Sequence, residues 1–368
     1  MRVGVDARAL GSGRGVGRHL EQALGALAVA HSRDDWRALV PGRDPLAVPA
    51  GVDAIRSVVP SRLVHGAAAL AGRPRLDALL DGVDVVWMPA PAPVALSAGV
   101  PLVVTVHDRS FEARPADFTA YERLWHRIAA PRRLAARATL VLCVSETVRE
   151  ELLDAGWPID PGRLRVVRAG PGLAPESGAN AGAGPTPPQG APGSASPPRD
   201  LLYVGALEPR KGVDVLARAF ALARSRGLRA GLRVVGAGRL ASQVAGVDGV
   251  RLLGPLDDRG LDAEYRQALA LVLPSRLEGF GLPPLEAALR GIPSVLSDLG
   301  VFAETLGGAA LTVPVGDEDA LADALLRIER DQALRERIAA AAGAAAAALT
   351  WERTAAGIHA ALTEAAAL

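Results

Sequence analysis

Two adjacent cations stand where the sequence passes from a strand pattern into a helix pattern. Arg210 and Lys211 lie in the segment GALEPRKG, which begins at Gly205. A helix amino terminus offers unpaired N–H groups and a positive dipole end, so it attracts anions. Arg210 adds a planar fork that fits phosphate oxygens, and Lys211, the only lysine of the chain, adds a compact charge. Because two cations at a helix start oppose the dipole, we predict a bound anion there; a solvated basic turn is the alternative.

A second segment, SRLEGFGLPPLE at residues 275–286, places two carboxylates around a glycine-rich loop. Gly279 and Gly281 carry no Cβ, so the backbone amides of this loop can approach a ligand closely. Glu278 lies in the loop, and Glu286 lies in the first turn of a helix that two prolines open. A carboxylate accepts two hydrogen bonds from vicinal hydroxyls, as on a ribose or hexose. For Glu286, the alternative is a favourable interaction with the helix dipole alone.

One histidine follows a predicted strand and has an acidic neighbour. His107 comes directly after the apolar run Leu102–Val106 and precedes Asp108, where a doubly wound domain exposes side chains to its ligand cleft. A structural histidine packed at the strand end is the alternative. The other histidines are predicted to be helical, exposed or irregular and are given no role: His19, His31, His65, His126 and His359.

Strand and helix patterns alternate along the chain and must position these residues. Short apolar runs predict buried parallel strands at Val3–Val5, Val83–Met88, Leu102–Val106, Leu140–Val144, Leu201–Val204, Leu232–Val235, Val250–Leu253, Ala270–Leu273 and Pro293–Leu296. Amphipathic patterns predict helices at Gly17–Ala30, Thr119–Ala136, Val213–Arg224, Asp262–Ala268, Pro283–Arg290, Glu318–Arg330, Gln332–Ala348 and Trp351–Ala366. This alternation predicts an α/β protein with two doubly wound, Rossmann-like domains and a ligand cleft at the carboxyl ends of their strands.

The two halves are separated by a segment of biased composition at residues 171–199. It holds eight Pro, six Gly and six Ala among 29 residues. Such a segment cannot bury enough apolar surface to offset its ordering entropy, so we predict a disordered linker or enlarged loop. The predicted domains are then residues 1–170 and 200–350, followed by a final helix at 351–368.

Composition excludes several classes of protein. The formal net charge of +1 gives no global field that would attract nucleic acid. The single cysteine, Cys143, lies in the apolar run LVLCV and is predicted to be a small buried hydrophobe. No apolar stretch reaches the ~20 residues of a membrane helix, and no signal-peptide core opens the chain. We expect a cytoplasmic protein, with peripheral contact to the inner face of the membrane left open because Arg62, Arg73 and Arg75 flank apolar residues.

Taken together, these segments resemble the retaining glycosyltransferases of family 4, which have the GT-B fold. Glu278, seven intervening residues and Glu286, in EGFGLPPLE, resemble the paired-glutamate motif of that family. The resemblance covers nearly the whole chain and includes VDARAL and GRGVGR near the start, TVHD at 105–108, VSETVREEL at 144–152, YVGALEPRKGVDVLARAF at 203–220, GIPSVLSD at 291–298 and TWERTA at 350–355. It implies two Rossmann-like domains that face each other across a cleft, with a C-terminal helix that crosses back onto the first domain.

The resemblance also implies roles for individual residues. Arg210 and Lys211 would hold the donor pyrophosphate, Glu278 would bind hydroxyls of the donor sugar, and Glu286 would bind the ribose. His107 would line the reaction centre near the acceptor, beside Asp108. The implied catalytic residues are His107, Arg210, Lys211 and Glu278. The implied donor-binding residues are Gly15, Gly205, Arg210, Lys211, Pro255, Leu256, Glu278, Gly279, Phe280, Gly281, Leu282 and Glu286.

The implied reaction is transfer of a hexose from a nucleotide-diphosphate sugar, with retention of configuration. No Asp-x-Asp follows a predicted strand and no metal-spaced histidine cluster appears, so we expect no metal or other cofactor. The opening VDARAL…GVGRHL resembles bacterial mannosyltransferases, which makes GDP-mannose the leading donor and a UDP-hexose such as UDP-glucose the alternative. The acceptor is a glycan, a lipid-linked or a small-molecule hydroxyl, and the oligomeric state is left open.

Other doubly wound proteins are alternatives for the same residues. The glycine cluster at residues 11–17 does not fit a dinucleotide fingerprint, because its last position falls on Val16 or Arg18. A glycogen-type phosphorylase needs a lysine for pyridoxal phosphate, and Lys211 already lies in the phosphate motif. A nucleotide-sugar epimerase shares the architecture. A catalytically degenerate module that binds nucleotide sugars stays open, and donor hydrolysis would distinguish it.

Overall fold

The computed structural model describes residues 1–12, 15–41, 46–57, 59–173 and 200–368. The chain divides into two compact units, of which the first comprises Met1–Gly172 and Leu349–Leu368, and the second Leu173–Ala348. Most of the predicted linker, residues 174–199, lies outside the described residues. Among the described helices, none is long and apolar enough to cross a bilayer.

The first unit is built on a seven-stranded parallel sheet in the order β3-β2-β1-β4-β5-β6-β7. Its strands are β1 (Arg2–Asp6), β2 (Asp35–Pro41), β3 (Val52–Ser57), β4 (Val85–Met88), β5 (Leu102–Val106), β6 (Leu140–Cys143) and β7 (Leu164–Val166). Every residue of β4, β5 and β6 is buried, which is why these strands are almost entirely apolar in sequence. Cys143 is fully buried in β6, as predicted, and burial raises the pKa of its thiol to about 12.

Helices cover this sheet: α1 (Gly15–Ala30), α2 (Ser61–Ala71), α3 (Leu76–Leu79), α4 (Ser110–Ala113), α5 (Ala120–Ala129), α6 (Pro131–Arg137) and α7 (Glu146–Asp154). The single helix predicted over Thr119–Ala136 is wrong, because the chain breaks between α5 and α6. Thr119 caps α5 in a capping box with Glu122, but Ala130 adopts left-handed angles (φ 42°) before Pro131. Proline disfavours helical angles in the residue before it, so the pattern is interrupted there.

The last helix belongs to the first unit. This helix, α15 (Trp351–Ala367), packs along α1 and contacts β4, β5 and β6. Two hydrogen bonds fix its start, since Trp351 Nε1 donates to the Pro171 carbonyl at 2.7 Å and Thr354 Oγ1 donates to the Arg168 carbonyl at 2.7 Å.

The second unit contains a six-stranded parallel sheet in the order β10-β9-β8-β11-β12-β13. Its strands are β8 (Leu201–Val204), β9 (Leu232–Val235), β10 (Val250–Gly254), β11 (Ala270–Leu273), β12 (Ser294–Ser297) and β13 (Leu311–Val313). Its helices are α8 (Val213–Ser225), α9 (Ala241–Ala245), α10 (Asp258–Gln267), α11 (Leu282–Ala288), α12 (Gly300–Leu306), α13 (Glu318–Arg330) and α14 (Gln332–Ala346). Each unit is therefore a parallel α/β domain, as predicted.

Candidate functional site

The predicted phosphate and glutamate segments meet at the switch point of the second sheet. The chain runs from β8 to β9 on one side, while β11 pairs with β8 on the other side. Loops that leave such a pair of strands diverge and form a crevice, where ligands of doubly wound domains bind. The loop after β8 carries Gly205–Gly212, and the loop after β11 carries Pro274–Gly281.

An ion pair joins these two loops. Lys211 Nζ lies 2.6 Å from both Oε1 and Oε2 of Glu278, and the Ser275 hydroxyl donates to Glu278 Oε1 at 2.7 Å. Glu278 is only 8% exposed, whereas the Lys211 side chain retains 17% of its surface. The two residues, 67 positions apart in the chain, are therefore held together in the crevice.

The cations do not stand at the helix start itself. Arg210 and Lys211 lie in a 3₁₀ turn, Pro209–Lys211, and α8 begins after Gly212. Each cation has a carboxylate partner, since Arg210 Nε donates to Glu208 Oε2 at 3.3 Å and Lys211 pairs with Glu278. The need for a bound anion therefore does not follow from unmatched charge, contrary to our expectation.

A second ion pair, between Arg276 and Asp214, connects the loop after β11 to the start of α8. Arg276 donates to both carboxylate oxygens of Asp214, at 2.7 Å each, and the Arg276 N–H donates to the Arg210 carbonyl at 2.8 Å. Burial by itself would raise the pKa of Asp214, but the hydrogen bonds and charge of Arg276 bring it below its ordinary value. Gly212 has a φ of 66°, and a Cβ there would lie 1.8 Å from the Pro274 carbonyl oxygen. Sequence reasoning missed Asp214 and Arg276.

Glu286 is buried and has a tyrosine partner. It is 3% exposed, and the Tyr265 hydroxyl of α10 donates to its Oε2 at 2.6 Å. Arg290 stacks its guanidinium 5.2 Å from the centre of the Tyr265 ring and pairs with Asp262 at 2.7 Å. The Tyr265 hydroxyl thus holds the Glu286 carboxylate. Because α11 begins at Leu282, Glu286 lies beyond its first turn, contrary to the prediction. Tyr265 could not be predicted from the sequence, because its contact with Glu286 depends on tertiary packing.

Two glycine loops pack against each other at the carboxyl edge of this sheet. A Cβ on Gly236 would lie 2.0 Å from the Gly205 carbonyl oxygen, and one on Gly238 would lie 2.5 Å from the Leu207 carbonyl oxygen. The Leu207 N–H also donates to the Ala237 carbonyl at 3.0 Å. The segment GAG after β9 therefore belongs to the same edge, although sequence analysis assigned it no role.

The other predicted donor residues lie in the loops of this edge. Pro255 is exposed directly after β10, and Leu256 packs against the apolar cluster around Tyr265. The segment 279–281 is buried, including Phe280, and Leu282 begins α11. Gly281 has a φ of 91°, and a Cβ there would lie 2.8 Å from the Phe302 ring, so the fold itself requires glycine at this position.

In the first unit, His107 lies at the carboxyl end of β5. Its Nε2 is 2.8 Å from the Pro89 carbonyl oxygen, which can only accept, so Nε2 carries the proton. Burial lowers the pKa of His107, against opposing effects from this hydrogen bond and from Asp108. The ring packs edge-on against His19 at 4.9 Å. His107 is therefore neutral at pH 7, with Nδ1 as its acceptor atom.

Two histidines to which sequence analysis gave no role lie in helices α1 and α2 and are buried. His19 is 4% exposed and lies between His107 and Trp351, and burial and the neighbouring His107 lower its pKa well below the ordinary value. His65 is 3% exposed, and its Nδ1 lies 2.8 Å from the Pro93 carbonyl oxygen. Helix periodicity alone did not reveal either burial.

The remaining predicted residues of this unit have local roles. Asp108 Oδ1 accepts from the backbone N–H of Ser110 at 2.8 Å and from its hydroxyl at 2.6 Å, which shapes the start of α4. Gly15 is the first residue of α1, and a Cβ there would meet nothing within 4 Å. At Gly17, by contrast, a Cβ would lie 2.5 Å from the Ala9 carbonyl oxygen. The space beside Gly15 is thus not filled by the protein's own described atoms.

Comparison with protein families identifies both units. Residues 13–170 match the model described as Glycosyltransferase Family 4, and residues 198–331 match the model described as Glycosyl transferases group 1. The chain belongs to glycosyltransferase family 4.

Curated relatives in the family include the phosphatidyl-myo-inositol mannosyltransferase of Mycobacterium leprae, which is 38% identical over 161 residues, 42% of this chain and 43% of that protein. The D-inositol 3-phosphate glycosyltransferase of Salinispora arenicola is 30% identical over 285 residues, 71% of this chain and 62% of that protein. The chain thus spans less than two thirds of the length of these relatives.

Solved structures agree on the fold of this family 4 chain. Sucrose-phosphate synthase from Thermosynechococcus elongatus aligns with a TM-score of 0.73 and 18% identity, over 99% of this chain and 98% of that one. Anabaena HepE, crystallised with UDP and glucose, aligns with a TM-score of 0.67 and 18% identity, over 98% and 99% of the two chains. At this identity the likeness establishes the GT-B fold class alone.

Proposed function

We propose that this family 4 chain transfers a hexose from a nucleotide-diphosphate sugar to a hydroxyl group, with retention of configuration. The observation that carries the proposal is the pair of Lys211 and Glu278 at the switch point of the second sheet. This pair presents an ammonium next to a carboxylate, and glycine loops surround it. A diphosphate and a sugar hydroxyl need these two complementary groups at close range.

Lys211 has one donor left for a phosphate. Its ammonium carries three N–H groups, and the two oxygens of Glu278 take two of them. The third N–H group of Lys211 would hold the diphosphate, together with the Arg210 guanidinium and the backbone of Gly205. The backbone amides of residues 280–282 would help Glu278 to bind the donor sugar. These cations would stabilise the charge that grows on the leaving nucleotide diphosphate, and one such contact is worth about 3 kcal/mol in other enzymes. We propose that the transfer needs no metal ion.

The glutamates position the donor in this proposal. Glu278 accepts three hydrogen bonds within the protein, which leaves about one of a carboxylate's four lone-pair sites for a sugar hydroxyl. Glu286 would bind the ribose while Tyr265 fixes its orientation, and Pro255 and Leu256 would lie near the base. The leaving phosphate accepts the proton of the attacking hydroxyl on the same face of the sugar, so neither glutamate serves as a nucleophile.

His107 is proposed to contact the acceptor. Its Nε2–H is held by the Pro89 carbonyl, and the neutral ring keeps Nδ1 as a hydrogen-bond acceptor for an incoming hydroxyl. Asp108 would act through the loop that it shapes with Ser110, and Gly15 would leave space for the donor phosphates.

The leading donor is GDP-mannose. The names of two relatives support a mannosyl donor, namely the phosphatidyl-myo-inositol mannosyltransferase of M. leprae and the O-antigen chain mannosyltransferase B of Escherichia coli, which is 33% identical over 160 residues. A UDP-glucose-type donor is the alternative, supported by the UDP-glucose complex of the structural neighbour HepE. The acceptor would be a glycan, a lipid-linked or a small-molecule hydroxyl.

Helices α2 and α5 carry exposed apolar side chains that could contact the inner face of the membrane, where a lipid-linked acceptor would lie. Leu63 and Leu70 of α2 are 63% and 92% exposed, and Leu124 and Ile128 of the adjoining α5 are 51% and 45% exposed. The exposed arginines of α5 are Arg123 and Arg127. We propose that these two helices contact an anionic bilayer surface, because apolar side chains beside arginines bind there. Cosedimentation with phosphatidylglycerol vesicles should be lost in a Leu70→Glu/Leu124→Glu variant; equal binding of both proteins contradicts it.

Nucleotide binding and donor turnover test the proposed activity together. Thermal shift with GDP, UDP, ADP and TDP, with and without EDTA, should reveal stabilisation by one diphosphate that EDTA does not change. Lys211→Ala should abolish that stabilisation, while Arg330→Ala, at an exposed arginine that ends α13, should retain it. Release of free sugar from the matching nucleotide sugar then distinguishes an enzyme from a binding module. If none of the nucleotides raises the thermal midpoint, the proposed function is contradicted.

A further inference from the structure

We propose that His31, Asp34 and His359 form a binding site for a divalent transition-metal ion of the Zn²⁺ class in the first unit. One ligand atom from each of these residues lies within 4.8 Å of the other two. His359 Nε2 is 2.7 Å from Asp34 Oδ2, and the rings of His31 and His359 stack at 3.6 Å with an interplanar angle of 1°. Two imidazoles and a carboxylate form a donor set that zinc prefers.

The backbone holds two of the three ligands in place. His31 follows α1 directly, and its N–H donates to the Leu27 carbonyl at 2.8 Å. The His31 carbonyl accepts from the Asp34 N–H at 3.1 Å and from Trp36 Nε1 at 3.2 Å, so a closed turn sets the spacing of His31 and Asp34. His359 lies within α15, which packs along α1. An ion would need little backbone rearrangement, which favours binding.

The electrostatics of the cluster suit a cation. The Asp34 carboxylate lies against two nitrogen groups, since its Oδ1 is 2.6 Å from the Met1 amino group and its Oδ2 is 2.7 Å from His359 Nε2. The carbonyl end of α1 adds the negative end of a helix dipole. The Asp34 carboxylate and the imidazoles of His31 and His359 can therefore offer lone pairs to a cation.

The side chains must move modestly to coordinate an ion. Bonds of about 2.0–2.1 Å in a tetrahedron place ligand atoms about 3.3 Å apart, so the stacked rings would splay and close on the ion. All three side chains are half-buried rather than enclosed, which leaves room for that rotation. The Met1 amino group holds Asp34 Oδ1 at 2.6 Å, and Oδ2 faces His359. Oδ2 is therefore the ligand atom, and the ion replaces its contact with His359 Nε2.

The location indicates a structural site. Asp34 directly precedes β2 and lies at the amino edge of the first sheet, whereas His107 follows β5 at the carboxyl edge. A bound ion would tie α15 to the turn between α1 and β2. This inference does not depend on the proposed transfer reaction, and it adds no metal to that reaction.

Titration of the tag-free full-length protein with ZnCl₂ after EDTA treatment and buffer exchange tests the proposal. We expect one high-affinity ion per chain and a raised thermal midpoint. His31→Phe retains a ring to stack on His359 but removes a ligand, and His359→Gln retains a hydrogen bond to Asp34. Each should weaken zinc affinity about 10–100-fold or more. His126→Gln, at a histidine of α5 outside the cluster, should bind zinc as the wild type does.

The outcomes decide the proposal in either direction. Absence of stoichiometric zinc binding to the wild type overturns it, and so does equal affinity of the wild type and the two cluster variants. If a variant loses its far-UV circular dichroism, Co²⁺ added to the wild type decides instead. Intense visible bands of four-coordinate cobalt, displaced by Zn²⁺, support the site, and the weak spectrum of hydrated cobalt overturns it.

Discussion

Replacement of Lys211 by Met tests whether the carboxylate of Glu278 depends on this lysine. The substitution leaves Glu278, 8% exposed, with the Ser275 hydroxyl as its hydrogen-bond donor. Breaking a buried pair by removing one partner costs about 3–5 kcal/mol, and because Lys211 is partly exposed we expect a loss of about 3 kcal/mol. At about 2–4 °C per kcal/mol, the second unit should melt about 6–12 °C lower.

A double-mutant cycle isolates the pair. Glu278→Gln removes the charge but keeps the shape, so Lys211→Met/Glu278→Gln should be about 2 kcal/mol more stable than the sum of the single losses predicts. Hydrogen exchange of α8 and α11 reports the second unit. Tryptophan fluorescence serves as a control for the first unit, which holds all five tryptophans: Trp36, Trp87, Trp125, Trp157 and Trp351. Strict additivity, or a loss confined to the fluorescence transition, would refute the reasoning.

Three further predictions concern single residues. Gly212→Ala should lower the free energy of unfolding in urea by about 3 kcal/mol or more, because of its positive φ and the clash with the Pro274 carbonyl. Gly15→Ala, the control, should change it by less than about 1 kcal/mol. Equal losses in the two variants would contradict the described loop geometry. The pKa of His19 is lowered by burial, so below pH 6.5 the unfolded chain binds a proton that the native state resists. Stability should therefore fall as the pH drops from 7 to 5, and His19→Phe should flatten that slope in thermal melts; an unchanged slope excludes His19 as the cause. Because burial raises the pKa of Cys143 to about 12, a thiol reagent at pH 8 should label it only in denaturant, and rapid native labelling would contradict its burial.

Sequence reasoning located the strands that are buried on both faces. The runs at Leu102–Val106, Leu201–Val204 and Ala270–Leu273 are almost entirely apolar, and the structure has strands with these bounds. β2 and β3 were missed because charged residues interrupt their apolar positions, as in DWRALVP and VDAIRS. The break at Ala130 was missed because hydrophobic periodicity continues across Pro131.

The candidate site was only partly predictable for a different reason. Local motifs identified these residues, since Lys211 and Glu278 lie beside glycines in loops that follow predicted strands, and Glu286 follows two prolines in a predicted helix. Their partners depend on the sheet order: Lys211 meets Glu278 only because β8 pairs with β11. Tyr265 belongs to the same category, because no local pattern shows which helix covers the Glu286 carboxylate.

Hydrogen exchange of the full chain with and without a nucleoside diphosphate tests most directly whether the crevice of the second sheet is the donor site. With GDP or UDP, protection should appear in peptides that cover residues 205–212 and 275–286, and it should vanish in the Lys211→Ala variant. Absence of protection from these two segments, or protection of these peptides that survives Lys211→Ala, would contradict the assignment.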